Sequence, residues 1–291
     1  MLEEVRSRID KIDDELVRLF TERLLLVEEV ANKKKAENLP ILNTAREREI
    51  ISRLTKGQTD TVAGYIKVLF TVIFDLSRSH QAKLINAPSE VAAEIRSALK
   101  NTSQLFPKST VVACQGSEGS DSTLACEKLF ERPSIMHFNT FDGVLGAVDK
   151  NLCQYAILPE SDLRGSIADT YDLIKKHKFF IVRSVRLKTD GSTKFVCVSK
   201  RLEIYPGARK ISLIMTAPHR TGSLYQLLAK FAALGINLVK LEGRPMSDND
   251  VESMFYFDLD ISVYDEAVFN LFSQLESGDE KFTFLGCYSE T

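Results

Sequence analysis

The sequence has no tryptophan, and its five cysteines, Cys114, Cys126, Cys153, Cys197 and Cys287, include no C-x-x-C pair. Its four histidines, His80, His137, His177 and His219, are far apart. Metal-ligand spacing is therefore absent, and an odd set of scattered thiols makes no disulfide framework; they read as buried or incidental free cysteines. There is no Walker loop and no G-x-G-x-x-G, so nucleotide binding has no support. No apolar run approaches the ~18 residues that a membrane span needs. With 38 Lys+Arg against 40 Asp+Glu, no basic footprint exists for nucleic acid or an anionic membrane. The opening MLEEVRSRID is charged from its third residue, which excludes a secretory signal and predicts a cytoplasmic protein.

What remains is an ordinary globular composition, 44% hydrophobic and 27% charged over 291 residues, long enough for about two domains or three small ones. The texture changes twice. Residues 1–85 carry apolar side chains at helical spacing: Val5, Ile9, Ile12, Leu16, Leu19, Leu26 and Val30 form a stripe on a helix reaching about Lys35. Asn38-Leu39-Pro40 breaks it, Thr44 with Glu47 reads as a capping box opening a second helix, and a third runs from Asp60 or Thr61 to about Leu84. Three helices bury little core alone, so intertwining with a second copy is expected. Residues 86–107 read as a linker with a short helix. Residues 108–203 alternate strands and helices, an α/β lobe, and residues 208–291 give the order βαββαβ of a ferredoxin-like unit.

The stripe of the first helix is broken by a cation, Arg23. Lys34, eleven residues on, falls about 20° away and shares that face. Two inward cations are costly without an anion, and a carboxylate on helix two, Glu47 or Glu49, is one answer. On the third helix Val62, Ile66, Leu69, Ile73 and Leu76 set an inward face, with Ser77 and Gln81 one turn apart beside it. Arg46 and Glu47 open helix two. The set contains cations, one carboxylate and two neutral hydrogen-bonding groups, but no nucleophile–base pair. It suits a small dianion whose reaction needs positioning and electrostatics.

These residues carry a resemblance. Residues 1–85 resemble the all-helical chorismate mutases across Arg6, Arg23, Lys34, Arg46, Glu47, Ser77 and Gln81, with Asn43 where the turn is typically Asp. The resemblance implies a three-helix protomer in an intertwined dimer that converts chorismate to prephenate by a concerted rearrangement. It implies that Arg23 and the partner's Arg6 bind the substrate carboxylates, assisted by Arg46 and Ser77. Lys34 and Gln81 would donate to the ether oxygen, and Glu47 would accept from the substrate hydroxyl and pair with Lys34.

The middle region resembles the first half of prephenate dehydratase. Its motifs are Gly116 to Ser122, Glu160-Ser161-Asp162-Leu163-Arg164-Gly165-Ser166-Ile167, and Thr193-Lys194-Phe195. Only 28 residues separate Gly165 from Thr193, where the family inserts a second lobe. Loss of dehydratase activity is the expectation, because one lobe makes no cleft. Region three resembles the ACT domain of phenylalanine-regulated dehydratases, through Thr221-Gly222-Ser223-Leu224-Tyr225 and Glu242-Gly243-Arg244-Pro245. Gly222, Ser223 and Leu224 would hold an amino-acid effector at a helix N-terminus, and Glu242 to Pro245 would close the site at a contact between two such domains.

The expected whole is multidomain: an all-α mutase domain in an intertwined dimer, a single α/β lobe and an α+β ferredoxin-like ACT domain. It needs no cofactor or metal, acts on chorismate, and responds to an aromatic amino acid, phenylalanine first. The rival expectations are a bifunctional mutase–dehydratase and a non-catalytic amino-acid sensor.

Overall fold

A computed structural model describes residues 1–85, 89–161, 166–187, 193–219, 222–245, 252–277 and 281–291. Three helices come first: α1 (Leu2–Glu37), α2 (Thr44–Thr55) and α3 (Asp60–Ile85). Helix α1 ends where Asn38 takes a left-handed conformation, φ 52°, and its N–H returns to the carbonyls of Lys34 and Lys35. Helix α2 is capped one residue earlier than the capping-box reading. The Asn43 side chain accepts from the Arg46 N–H at 3.0 Å, so Thr44 lies inside the helix. Asparagine is the better cap, and it leaves the Glu47 carboxylate for a different partner.

The apolar faces of these helices are only half covered. Residues 2–19 of α1 are all exposed, Val5, Ile9, Ile12, Leu16 and Leu19 among them. On α3, Val62 and Leu69 are exposed too, whereas Phe74, Asp75, Ser77, Ser79, Gln81 and Ala82 are buried. The inward face read from Val62 to Leu76 is thus realised only toward its C-terminal end. A single chain gives the remaining positions nothing to pack on.

Helix α4 (Glu90–Asn101) was expected within a linker. It instead packs on the C-terminal region through Ile95 and Ala98, and Glu276 accepts from the N–H groups of Glu90 and Val91 at its first turn. Apolar residues three apart give this short helix one sticky face.

The α/β lobe follows as β1 (Ser109–Gln115), α5 (Asp121–Leu129), β2 (Arg132–Phe138), α6 (Phe141–Asp149), β3 (Tyr155–Pro159), α7 (Ala168–His177), β4 (Phe180–Arg186) and β5 (Lys194–Ser199). The ferredoxin-like region is β6 (Lys210–Pro218), α8 (Ser223–Ala233), β7 (Asn237–Pro245), β8 (Glu252–Asp260), α9 (Glu266–Ser277) and β9 (Lys281–Glu290). The two sheets are not separate. Among the described residues they form one nine-stranded sheet, order β2-β1-β3-β5-β4-β9-β6-β8-β7, joined where β4 runs parallel to β9 with Arg183 opposite Ser289. At this joint Gly286 has φ +143°, and a Cβ there would lie 2.2 Å from the Ile181 carbonyl oxygen. Only glycine lets the two backbones approach so closely. One core cluster runs under the joint, from Val144, Tyr171 and Ile181 of the lobe to Ile214, Tyr256 and Tyr288 of the ferredoxin-like region.

Candidate active site

Arg23 and Ser77 meet between α1 and α3. The guanidinium donates to the Ser77 hydroxyl, which in turn donates to the Ile73 carbonyl at 2.6 Å, and it lies over the Phe74 ring at 5.9 Å. Lys34 donates to the Ile41 carbonyl in the turn between α1 and α2. Burial pulls the pKa of both cations below the ordinary range, and the nearby Glu47 carboxylate opposes that pull. Both cations are thus half-dehydrated and share one carboxylate, an arrangement an anionic substrate would complete. Gln81, buried one turn beyond Ser77, gives its amide N–H to the Ser77 carbonyl at 3.3 Å. Its Oε1 has no partner among the described residues. Buried polar atoms are nearly always satisfied, so this acceptor lacks a partner that burial would ordinarily demand.

Glu47 does not pair directly with Lys34. Its carboxylate accepts from Arg78, whose other arm donates to Asp75. Arg78 was not a candidate: it falls a single step past Ser77 on α3, about 100° round the helix, and its sequence neighbours give no sign of a buried role. Arg46 is exposed and pairs with Glu49 on its own helix at 2.8 Å. Arg6 is exposed on the uncovered part of α1. The fold therefore brings together Arg23, Lys34, Glu47, Ser77 and Gln81, and leaves Arg6 and Arg46 outside.

The dehydratase-like motifs also converge. Lys194 pairs with Glu160, both buried, and the Glu160 N–H donates to the Lys194 carbonyl at 2.8 Å. Burial opposes the charge on Lys194, but Glu160, Asp258 and Glu290 outweigh it and raise the ammonium pKa. Residues Asp162 to Gly165 of that motif lie outside the described residues, as does Thr221.

The two effector segments point to different places. Gly222, at φ 89°, precedes α8, and it lines a shallow cavity of about 450 Å³ with Ser223, Leu224, Tyr225 and Phe255. Gly243 touches this region only through Phe255, whose ring lies 3.0 Å from where a Cβ would stand. Pro245 is exposed at the end of β7. Glu242 and Arg244 project from the other face of β7 toward the lobe. Glu242 accepts from Ser166 at 2.5 Å and from the Ile167 N–H at 2.8 Å, while Arg244 reaches Asp169 at 2.6 Å. Strand alternation separates 242 and 244 from 243, so these two charges clamp β7 to the start of α7 instead of closing on the Gly222 loop.

Two family models match this chain: "Chorismate mutase type II" over residues 5–82 and "Prephenate dehydratase" over residues 112–232. It is a P-protein-like fusion of these two families. The bifunctional chorismate mutase/prephenate dehydratase of Aquifex aeolicus is 23% identical over 359 aligned positions, spanning 99% of this chain and 97% of that protein. The alignment is longer than the 291 residues of this chain, so the relative carries segments this fusion lacks. Among solved structures, the prephenate dehydratase of Streptococcus mutans superposes with a TM-score of 0.55 at 26% identity, over 62% of this chain and 98% of that one. The prephenate dehydratase of Arthrobacter aurescens, solved in complex with L-Phe, shares the fold at a TM-score of 0.52 and 16% identity, over 62% of this chain and 89% of that one. No helix among the described residues is long and apolar enough to cross a membrane.

Proposed function

We propose that the helical region converts chorismate to prephenate. The observation that carries this reading is the convergence of Arg23, Lys34, Glu47, Ser77 and Gln81 on one half-buried surface with no nucleophile–base pair. The rearrangement is concerted and needs no proton transfer, so the protein's task is to hold a folded dianion and to meet charge where it develops. Arg23, fixed by Ser77 and the Phe74 ring, binds a substrate carboxylate. Lys34 and Gln81 donate to the ether oxygen as its bond to carbon breaks. A preorganised donor of this kind contributes about 3 kcal/mol to lowering the barrier. The working form is a homodimer or higher homo-oligomer. The uncovered apolar stripe of α1 packs on a second copy, which brings the partner's Arg6 to the second carboxylate, and Arg46 swings in once substrate competes with Glu49. The non-catalytic sensor reading leaves this set of residues without a purpose.

For the dehydratase-like lobe the better-supported reading is a bifunctional mutase–dehydratase. Both the family match over residues 112–232 and the near-full-length Aquifex relative favour it over loss of the second activity. The argument for loss is the missing second lobe, since residues 166–187 hold only α7 and β4. Strand β7 supplies an alternative wall: Lys240 stands 3.7 Å from Glu160, beside the Ser166, Glu242 and Arg244 cluster. The ferredoxin-like region is read as an ACT domain that senses an aromatic amino acid, phenylalanine first, as bound by the Arthrobacter protein. Incubating the full chain with chorismate and identifying the products, with and without each aromatic amino acid, tests all three parts. Prephenate supports the mutase, enzyme-dependent phenylpyruvate supports the dehydratase, and a change in rate supports the sensor.

A further inference from the structure

The larger cavity, about 770 Å³, lies between the mutase-like helices and the ferredoxin-like region, walled by α2 and α3 on one side and by β6, α8 and α9 on the other. Its size is that of a small-molecule site. Three features of its wall ask for an occupant. Among the described residues Arg48, Lys67 and Lys281 line it with Arg78, against Glu47, Asp75 and Glu252, and Lys230 there already has a partner. Two of those carboxylates are already on Arg78, and Glu252 lies 3.5 Å from Lys281. The Ser223 hydroxyl, on a residue only 5% exposed, has no hydrogen-bond partner among the described residues and stands at the N-terminus of α8, where an anion is favoured. Between the polar groups Ile51, Phe74 and Leu227 offer an apolar bed.

We propose that this cavity is a regulatory site for a small organic carboxylate with an apolar body, whose carboxylate takes Arg78 away from Glu47. The inference rests on the mutase reading for its consequence but not for the site itself. Arg78 is the link because it belongs to the cavity wall and holds the one carboxylate that faces Arg23 and Lys34. With Arg78 paired to Glu47, that carboxylate is turned from the substrate hydroxyl and neutralised. An anion arriving at Arg78 and Ser223 binds the alternative arrangement better, and only such differential affinity can shift the balance. Glu47 is then released toward the substrate, and turnover rises. A coupling of ordinary size, acting on substrate binding, changes turnover at low chorismate about 5–150-fold.

The test titrates L-phenylalanine and phenylpyruvate into the full chain by calorimetry, and in parallel into chorismate turnover. Thr71→Trp fills the cavity from α3 at a residue outside the proposed catalytic set, and Arg78→Gln removes the shared cation without adding bulk. Circular dichroism establishes that each variant is folded. The expected result is binding of at least one probe that both variants weaken at least tenfold, activation of the native chain by that probe, and in Arg78→Gln a raised basal rate that no longer responds. Unchanged affinity in both variants, or no binding of either probe to the native chain, overturns the site. Binding that depends on the cavity but lowers turnover overturns the release of Glu47. Cavity-dependent binding in a chain with no turnover at all overturns the mutase reading and leaves the site standing.

Discussion

The Arg78 guanidinium donates to the Glu47 carboxylate across the contact of α3 with α2, and Asp75, one turn earlier, takes its other arm. The one carboxylate near Arg23 and Lys34 is thereby held by a third cation.

Removing either inward cation should cost rate and not fold. Arg23→Ala and Lys34→Ala are each expected to lower chorismate turnover at least about a hundredfold, the loss of one preorganised charged donor. Their thermal midpoints should change little, because the desolvation penalty on each half-buried charge offsets the hydrogen bond it makes to Ser77 or to the Ile41 carbonyl. Steady-state kinetics beside thermal melts check both halves; near-normal turnover in either variant would remove it from the site.

Lys34 sets the alkaline limit. Burial lowers its pKa and the Arg78 charge lowers it further, with Glu47 opposing. A lysine with a depressed pKa loses its proton at a lower pH than a free one, so turnover should fall on the alkaline side before the ordinary lysine range is reached. Lys34→Arg stays charged throughout, and its profile should be flat there at a lower plateau. A profile of the native chain that stays flat through the lysine range would show that Lys34 is not the donor.

The exposed stripe of α1 should be a subunit contact. Leu16→Asp places a charge among Ile9, Ile12 and Leu19, which are uncovered in one chain. It is expected to convert a dimer to a monomer by light scattering and to abolish turnover, because Arg6 then has no site to reach. An unchanged mass with unchanged kinetics would show that the stripe faces no partner copy.

Much of this architecture is legible in the sequence because local signals and long-range packing agree. The breaks at Asn38–Pro40 and Gly57, and the switch to alternation near Ser109, fall where elements end or begin. Arg23 is legible because it interrupts an apolar stripe, Lys34 because it shares that face, and Ser77 and Gln81 because they stand one turn apart beside another. Arg78 and the Glu242–Arg244 clamp are not. Their partners lie on other elements, at sequence separations of 31 for Arg78 with Glu47 and 76 for Ser166 with Glu242, so no local pattern records them. The continuity of the sheet is hidden for the same reason. The parallel pairing of β4 with β9 joins residues about a hundred positions apart, through a glycine that reads on its own as a strand defect.

That joint gives a stability prediction. Gly286→Ala would add a Cβ 2.2 Å from the Ile181 carbonyl oxygen and 2.8 Å from its nitrogen, in a backbone conformation that L residues rarely adopt. The expected cost is about 2–4 kcal/mol in a chemical unfolding experiment, from strain and overpacking together. Unfolding within about 0.5 kcal/mol of the native chain would show that β9 does not press on β4.

The most direct measurement of the central claim is chorismate consumption by the purified full chain at neutral pH, followed with the formation of prephenate. The mutase reading predicts enzyme-dependent loss of chorismate, proportional to protein concentration and matched by the appearance of prephenate or of a product made from it. Chorismate decaying at its uncatalysed rate in the presence of folded, full-length protein, with and without the aromatic amino acids, would contradict it.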